Sequence, residues 1–188
     1  MAATVFHSGP SDEGRHVEES DRLVRATEDH CVFECSGQVF AASLGAVHEV
    51  LSGKLATPVP LAPPALVGVV ELHGEALPVV QLSALLGIAT RPYTPANPIV
   101  VLSAHDNKLG VAVDRVQHVR SIDRNSLTSA THAFYRGWCR GVTPAVAVLD
   151  AEALVTHALR TVAARLENVL PGATRRAADA DGTGSGTC

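Results

Sequence analysis

The chain has 188 residues, 46% of them hydrophobic and only 4% aromatic, with a formal charge of −4 and a pI near 6.1. That length holds one core or two small linked ones, and 15 Lys and Arg against 19 Asp and Glu supply no concentrated basic surface for displacing counterions from a nucleic acid. Apolar runs stop before the about 18 residues of a membrane-spanning helix, the N-terminus lacks a signal-peptide pattern, and four cysteines are too few and too irregular for a disulfide framework. These features point to the cytoplasm, without nucleic acid and without membrane insertion.

Residues 1–30 carry Asp12, Glu13, Glu18, Glu19, Asp21, Glu28 and Asp29 against Arg15, Arg22 and Arg25. A segment so poor in large apolar groups buries too little to offset its ordering entropy, so an acidic disordered arm is expected there. The folded part should cover about 31–170, where acidic and basic residues balance, which leaves the whole excess charge on the arm.

Within that part the apolar residues arrive in short runs bounded by turn signals, the pattern of small strands. Cys31–Cys35 and Gln38–Ala42 flank the hairpin signal Ser36-Gly37. Ala46–Leu51 follows, then Leu66–Leu72 and Ala76–Gln81 around His73-Gly74. A Pro- and Thr-rich stretch near 88–98 reads as a linker, and a second set comes after it: Ile99–Ser103, Leu109–Val113, Val116–Ile122, Tyr135–Val142 and Ala145–Leu149. Two groups of about five strands suggest two small barrels in tandem. From Asp150 the period changes, with Val155, Leu159, Val162 and Leu166 on one helical face, Asp150 as N-cap and Pro171-Gly172 as the stop. One amphipathic helix over about 150–170 is expected on the β core, followed by a flexible tail over 171–188.

No phosphate loop, nucleophile elbow or His-Glu-x-x-His helix is present, so the enzymes legible from short motifs are excluded. The one local Cys/His cluster, His30-Cys31-x-x-x-Cys35, fails as a metal site: on a strand its two thiols lie about 13 Å apart, whereas zinc holds each sulfur near about 2.3 Å. The thiols read instead as small apolar side chains, and no metal or cofactor is expected. Single histidines (His48, His73, His105, His118, His132, His157) are scattered and read as structural or exposed. Glu71 and Glu75 beside His73 lack a nucleophile or positioned partner for acid–base work. Tyr135 and Trp138 are either core aromatics or interface anchors.

Six pieces in register resemble the CheW family of chemotaxis coupling proteins. They are Phe33–Ala41, Val47-His48-Glu49-Val50, the long run Leu66–Leu82, Leu109–Val116 with its Gly110 and Val113-Asp114, Arg140-Gly141-Val142, and Val146–Asp150 leading to Leu154. The resemblance covers about 31–155. It implies two tandem five-stranded SH3-like β-barrels with a C-terminal helix. It also implies a non-catalytic adaptor between the cytoplasmic tip of a methyl-accepting chemoreceptor and the regulatory domain of a CheA-type histidine kinase, with further CheW-like proteins as neighbours and a groove between the barrels for the receptor's helical hairpin.

Carried over by position, Val47 and Glu49 fall on the strand near the family's partner contacts, and Gly74 and Pro78 keep the turn and the break after it. His73 departs: the family places Arg there, implicated in partner binding, and imidazole cannot copy its planar fork of donors. Glu71 stands for the usual Asn, Gln81 for Asp, and Ser83 for a frequent basic residue. The expected partner-binding residues are therefore Val47, Glu49, His73 and Gly74 in a divergent adaptor, serving chemotaxis or an alternative chemosensory system for motility or pili. The competing readings are an adaptor that has lost receptor contact and caps array positions, and a ligand- or metal-binding β-barrel with no coupling role.

Overall fold

The computed structural model describes residues 27–89, 91–130, 133–139 and 144–169. The expected arm up to residue 26, the tail 171–188, His132 and the motif Arg140-Gly141-Val142 lie outside the described residues. Among the described residues are eleven strands and two α-helices: β1 (Thr27–Cys35), β2 (Gln38–Ser43), β3 (Val47–Leu51), β4 (Leu66–Leu72), β5 (Glu75–Gln81), α1 (Leu82–Leu85), β6 (Ile99–Ala104), β7 (Asn107–Ala112), β8 (Arg115–Asp123), β9 (Leu127–Thr128), β10 (Tyr135–Cys139), β11 (Val146–Leu149) and α2 (Ala151–Val169).

The tight turns follow from their residues. Ser36 and Gly37 (φ 53° and 79°) and His73 and Gly74 (φ 51° and 86°) put both central positions in the left-handed region. That is the hairpin turn whose twist matches the flanking strands. Asp150 starts α2, its Oδ1 accepting from Ala153 N at 3.0 Å, which satisfies a donor the first helical turn leaves free.

The strands do not form the two tandem five-stranded barrels expected from the sequence. One sheet has six strands in the order β8-β1-β2-β11-β10-β9, the other five in the order β3-β6-β7-β5-β4. Neither closes. Closure needs a ladder of hydrogen bonds between the two outer strands, but β3 and β4 are not paired, and the isolated bridge Thr57↔Val69 takes up part of the β4 edge. Each sheet is mixed, because β2 pairs parallel with β11 and β5 parallel with β7. Strands from both ends of the chain therefore build the six-stranded sheet, while the stretch near 88–98 lies inside the connection between β5 and β6 of the other.

Three apolar clusters explain why the runs look continuous rather than alternating. The largest fills the space between the sheets and takes Cys31, Phe33, Phe40, Leu102, Leu109 and Leu149, covered by Leu154, Val155 and Ala158 of α2. The next residues along the same strands point the other way: Val32, Val39, Ala41, Val146 and Val148 form a second cluster, and Leu77, Val79, Ile99 and Val101 belong to a third. Central strands are thus buried on both faces, and Phe33, Phe40, Ile99, Leu102, Leu109 and Val148 are all fully buried. Among the described residues no helix is long and apolar enough to cross a membrane.

Candidate interaction site

Glu49 and His73 meet on the five-stranded sheet. His73 Nε2 lies 2.9 Å from Glu49 Oε1, and His48 Nε2 is 3.7 Å from the same oxygen. Adjacent strand residues ordinarily point to opposite faces. A bulge between Val47 and Glu49, which pair with Leu102 and Val101, leaves His48 as the extra residue and alters that alternation. The His73 ring is 71% exposed and Glu49 30%. Screening by water makes such a pair a weak contributor to folding, so its importance lies in what it presents at the surface.

The turn beneath is held locally. Gly74 N donates to Glu71 Oε1 at 2.6 Å, and Gly74, at a φ of 86°, adopts a conformation that few other residues tolerate. Val47 is half-buried at the start of β3 and packs against the central cluster. Val50, on the same strand, is 41% exposed. Of the four departures from the family pattern, three are engaged in the frame: Glu71 accepts from the turn, the Gln81 amide donates to Arg91 O, and Ser83 is fully buried. Glu71 and His73 are both exposed at this turn, whereas Gln81 is half-buried.

A second feature lies where the two sheets and α2 come together. Gly45, Ala46, Ser103, Ala104, Leu149 and Ala151 line a cleft of about 380 Å³, with Glu28, His105, Arg136 and Glu152 at its polar parts. Glu28 organises this region. Its carboxylate accepts from Ser43 Oγ and from Arg124 Nε at 2.9 Å, and Arg136 lies 4.0 Å away. Burial alone would raise the Glu28 pKa, but the hydrogen bonds from Ser43 and Arg124 and the nearby Arg124 guanidinium and His30 ring outweigh it and hold it below its ordinary value of 4.5. Sequence reasoning assigned Glu28 to the acidic arm and missed this role. The available signal was the alternation of Glu28 with buried His30, a short and polar pattern.

Cys31 and Cys35 are buried, and burial raises both thiol pKa values; Asp114 adds to the effect at Cys35. Both face the central cluster with Phe33. Among the described residues no three His, Cys, Asp or Glu side chains are grouped as metal ligands. Trp138, at 37% exposure, stands at the surface beside Tyr135, their ring centroids 5.8 Å apart.

Two curved mixed sheets around a shared central cluster, carrying surface clefts and exposed turns, have the form of an interaction module. Residues 29–159 match the model of the CheW-like domain, and the chain belongs to that family. It is 32% identical over 123 residues to the chemotaxis protein CheW of Rhizobium meliloti, a match covering 64% of this chain and 79% of the relative. To CheW of Bacillus subtilis it is 26% identical over 107 residues, 57% of this chain and 69% of the relative. The crystal structure of the scaffolding protein TtCheW from Thermoanaerobacter tengcongensis superposes with a TM-score of 0.59 at 26% identity, covering 65% of this chain and 84% of that one. The protein is a non-catalytic scaffold of the CheW type, an adaptor in chemotaxis signalling.

Proposed function

We propose that this adaptor works in the cytoplasm and couples the tip of a methyl-accepting chemoreceptor to the regulatory domain of a CheA-type histidine kinase, in chemotaxis or in an alternative chemosensory system. Val47, Glu49, His73 and Gly74 form part of its partner surface. The observation that supports this reading is the 2.9 Å contact between Glu49 and His73, which joins two of these residues on one exposed patch. The cleft where the sheets meet α2 combines small lining at Gly45, Ala46, Ala104 and Ala151 with polar groups at Glu28, His105, Arg136 and Glu152, a mixture that supports a helical partner with an apolar face and a polar rim. Calorimetry with the cognate kinase regulatory domain and with a receptor tip tests the assignment. A Kd tighter than about 0.1 mM, roughly −5.5 kcal/mol, is expected for each, and absence of binding to both at that concentration overturns it.

A further inference from the structure

The contact between Glu49 and His73 dictates which hydrogen-bonding group the His73 ring turns outward. An ionised carboxylate only accepts hydrogen bonds, so the ring nitrogen 2.9 Å from Glu49 Oε1, which is Nε2, carries a proton. A neutral imidazole has one N–H and one bare nitrogen, which leaves His73 Nδ1 as an acceptor. Nδ1 makes no hydrogen bond among the described residues, and the ring is 71% exposed. Arginine, which the family pattern places here, has five donors and no acceptor. Histidine therefore reverses the polarity that this position offers to a partner.

The charges around the turn have the matching sign. Glu71 and Glu75 border it, both exposed, and Glu71 accepts from Gly74 N. Lys108 lies 4.0 Å from Glu75, but no Lys or Arg pairs with Glu49 or Glu71 among the described residues. His48 Nε2, at 3.7 Å from Glu49 Oε1, is beyond hydrogen-bond distance. The Glu49 carboxylate has about four acceptor sites, and His73 takes one of them.

We propose that His73 is a specificity-determining acceptor and that it receives a lysine or arginine of the partner, whose N–H groups reach His73 Nδ1 and the remaining acceptor sites of Glu49 together. This rests on the reading of residues 49 and 73 as partner surface and adds the chemistry of the group they hold. A cationic donor makes charge-assisted hydrogen bonds, the stronger class. A partner carboxylate would meet a bare nitrogen at Nδ1 and the like charges of Glu49, Glu71 and Glu75.

Two measurements on the full chain test this. Nitrogen-15 NMR of the labelled histidines at about pH 8, above the ordinary imidazole value of about 6.5, should show His73 protonated at Nε2 and bare at Nδ1, with the signal assigned by its loss in His73→Gln. Glu49→Ala should abolish that preference. In calorimetry with the cognate kinase regulatory domain and receptor tip, His73→Arg should weaken binding of at least one of them about tenfold by setting cation against cation. His73→Gln, whose amide both donates and accepts, should stay within about threefold of the natural chain. Exposed lysines and arginines of the weakened partner, changed to Glu one at a time, should include one change that restores binding to His73→Arg and weakens binding to the natural chain. The proposal is overturned by a proton on Nδ1, by His73→Arg binding both partners as tightly as the natural chain, or by the absence of any restoring change. Failure of the natural chain to bind either partner overturns the proposed function and this inference with it, so the two failures are told apart.

Discussion

His73 Nε2 and Glu49 Oε1, 2.9 Å apart, connect elements from opposite ends of one sheet: Glu49 is on the outer strand β3, and His73 is in the turn after the other outer strand, β4. The contact exists because the sheet curves until its edges approach. The His73 ring is exposed and Glu49 half-buried, so the pair belongs to the surface rather than to the core.

Glu49→Ala should leave the unfolding free energy within about 0.5 kcal/mol of the natural chain, as befits a solvated pair. It should weaken kinase or receptor binding threefold to tenfold, about 1 kcal/mol. An unchanged Kd by calorimetry removes Glu49 from the partner surface. His73→Arg keeps a partner for Glu49 and adds a planar fork of donors. It should raise affinity for the receptor tip of a system whose adaptor has Arg at this position, and equal affinity shows that residue 73 does not set partner choice.

Acid should destabilise the protein through Glu28. Its folded pKa is below the ordinary 4.5, so the stabilisation is complete above about that pH and is lost as pH falls through the lower folded value. Glu28→Gln should cost about 1–2 kcal/mol at neutral pH, the scale of a charged hydrogen-bonded group. It should also flatten the acid limb of stability. Urea unfolding at neutral pH and below 4.5 measures both effects, and parallel pH profiles for the two proteins refute the assignment.

Gly68→Ala should destabilise by about 2 kcal/mol or more. At a φ of +155°, a Cβ there would sit 2.3 Å from the Thr57 carbonyl oxygen. Relief would require moving the backbone that exchanges hydrogen bonds of 2.8 and 2.9 Å between Thr57 and Val69. A thermal midpoint equal to that of the natural chain contradicts the close approach.

Asp150→Ala should cost about 1 kcal/mol by removing the N-cap of α2; Asp150→Asn, which retains a side-chain acceptor, should recover most of the loss. Chemical denaturation of the two variants decides between capping and the 3.7 Å contact of Asp150 with Arg136, which Asn does not preserve as an ion pair.

Cys31 and Cys35 should stay unmodified by a thiol reagent in the native protein and react on unfolding. The thiolate is the reactive form, and burial disfavours it at both positions. Rapid native labelling of either, read by mass spectrometry, would falsify the buried-thiol assignment.

The strands were legible where a run of β-branched and aliphatic residues met a turn signal, as at Cys31–Cys35 with Ser36-Gly37. Residues 27–30 were not, because Thr-Glu-Asp-His has the composition of an exposed segment. Those residues join β1 through their pairing with Ile122, Ser121 and Arg120 of β8, a partner supplied by the far half of the chain. The two-residue β9 was too short for any pattern. Of the candidate surface, the residues 47, 49, 73 and 74 came from resemblance, whereas the cluster around Glu28 depended on the approach of Ser43, Arg124 and Arg136 from separate elements.

Local chemistry settled where the tight turns fall, which thiols are core material and where the last helix starts, because alternation, turn propensity and capping act over a few residues. Membership of each sheet was decided only in three dimensions. The parallel pairings of β2 with β11 and β5 with β7 depend on long-range burial, and a strand's own residues favour many partners almost equally. Two adjacent groups of five strands therefore suggested tandem barrels, while shared burial on both faces assembled the same strands into two open, curved sheets around a common core.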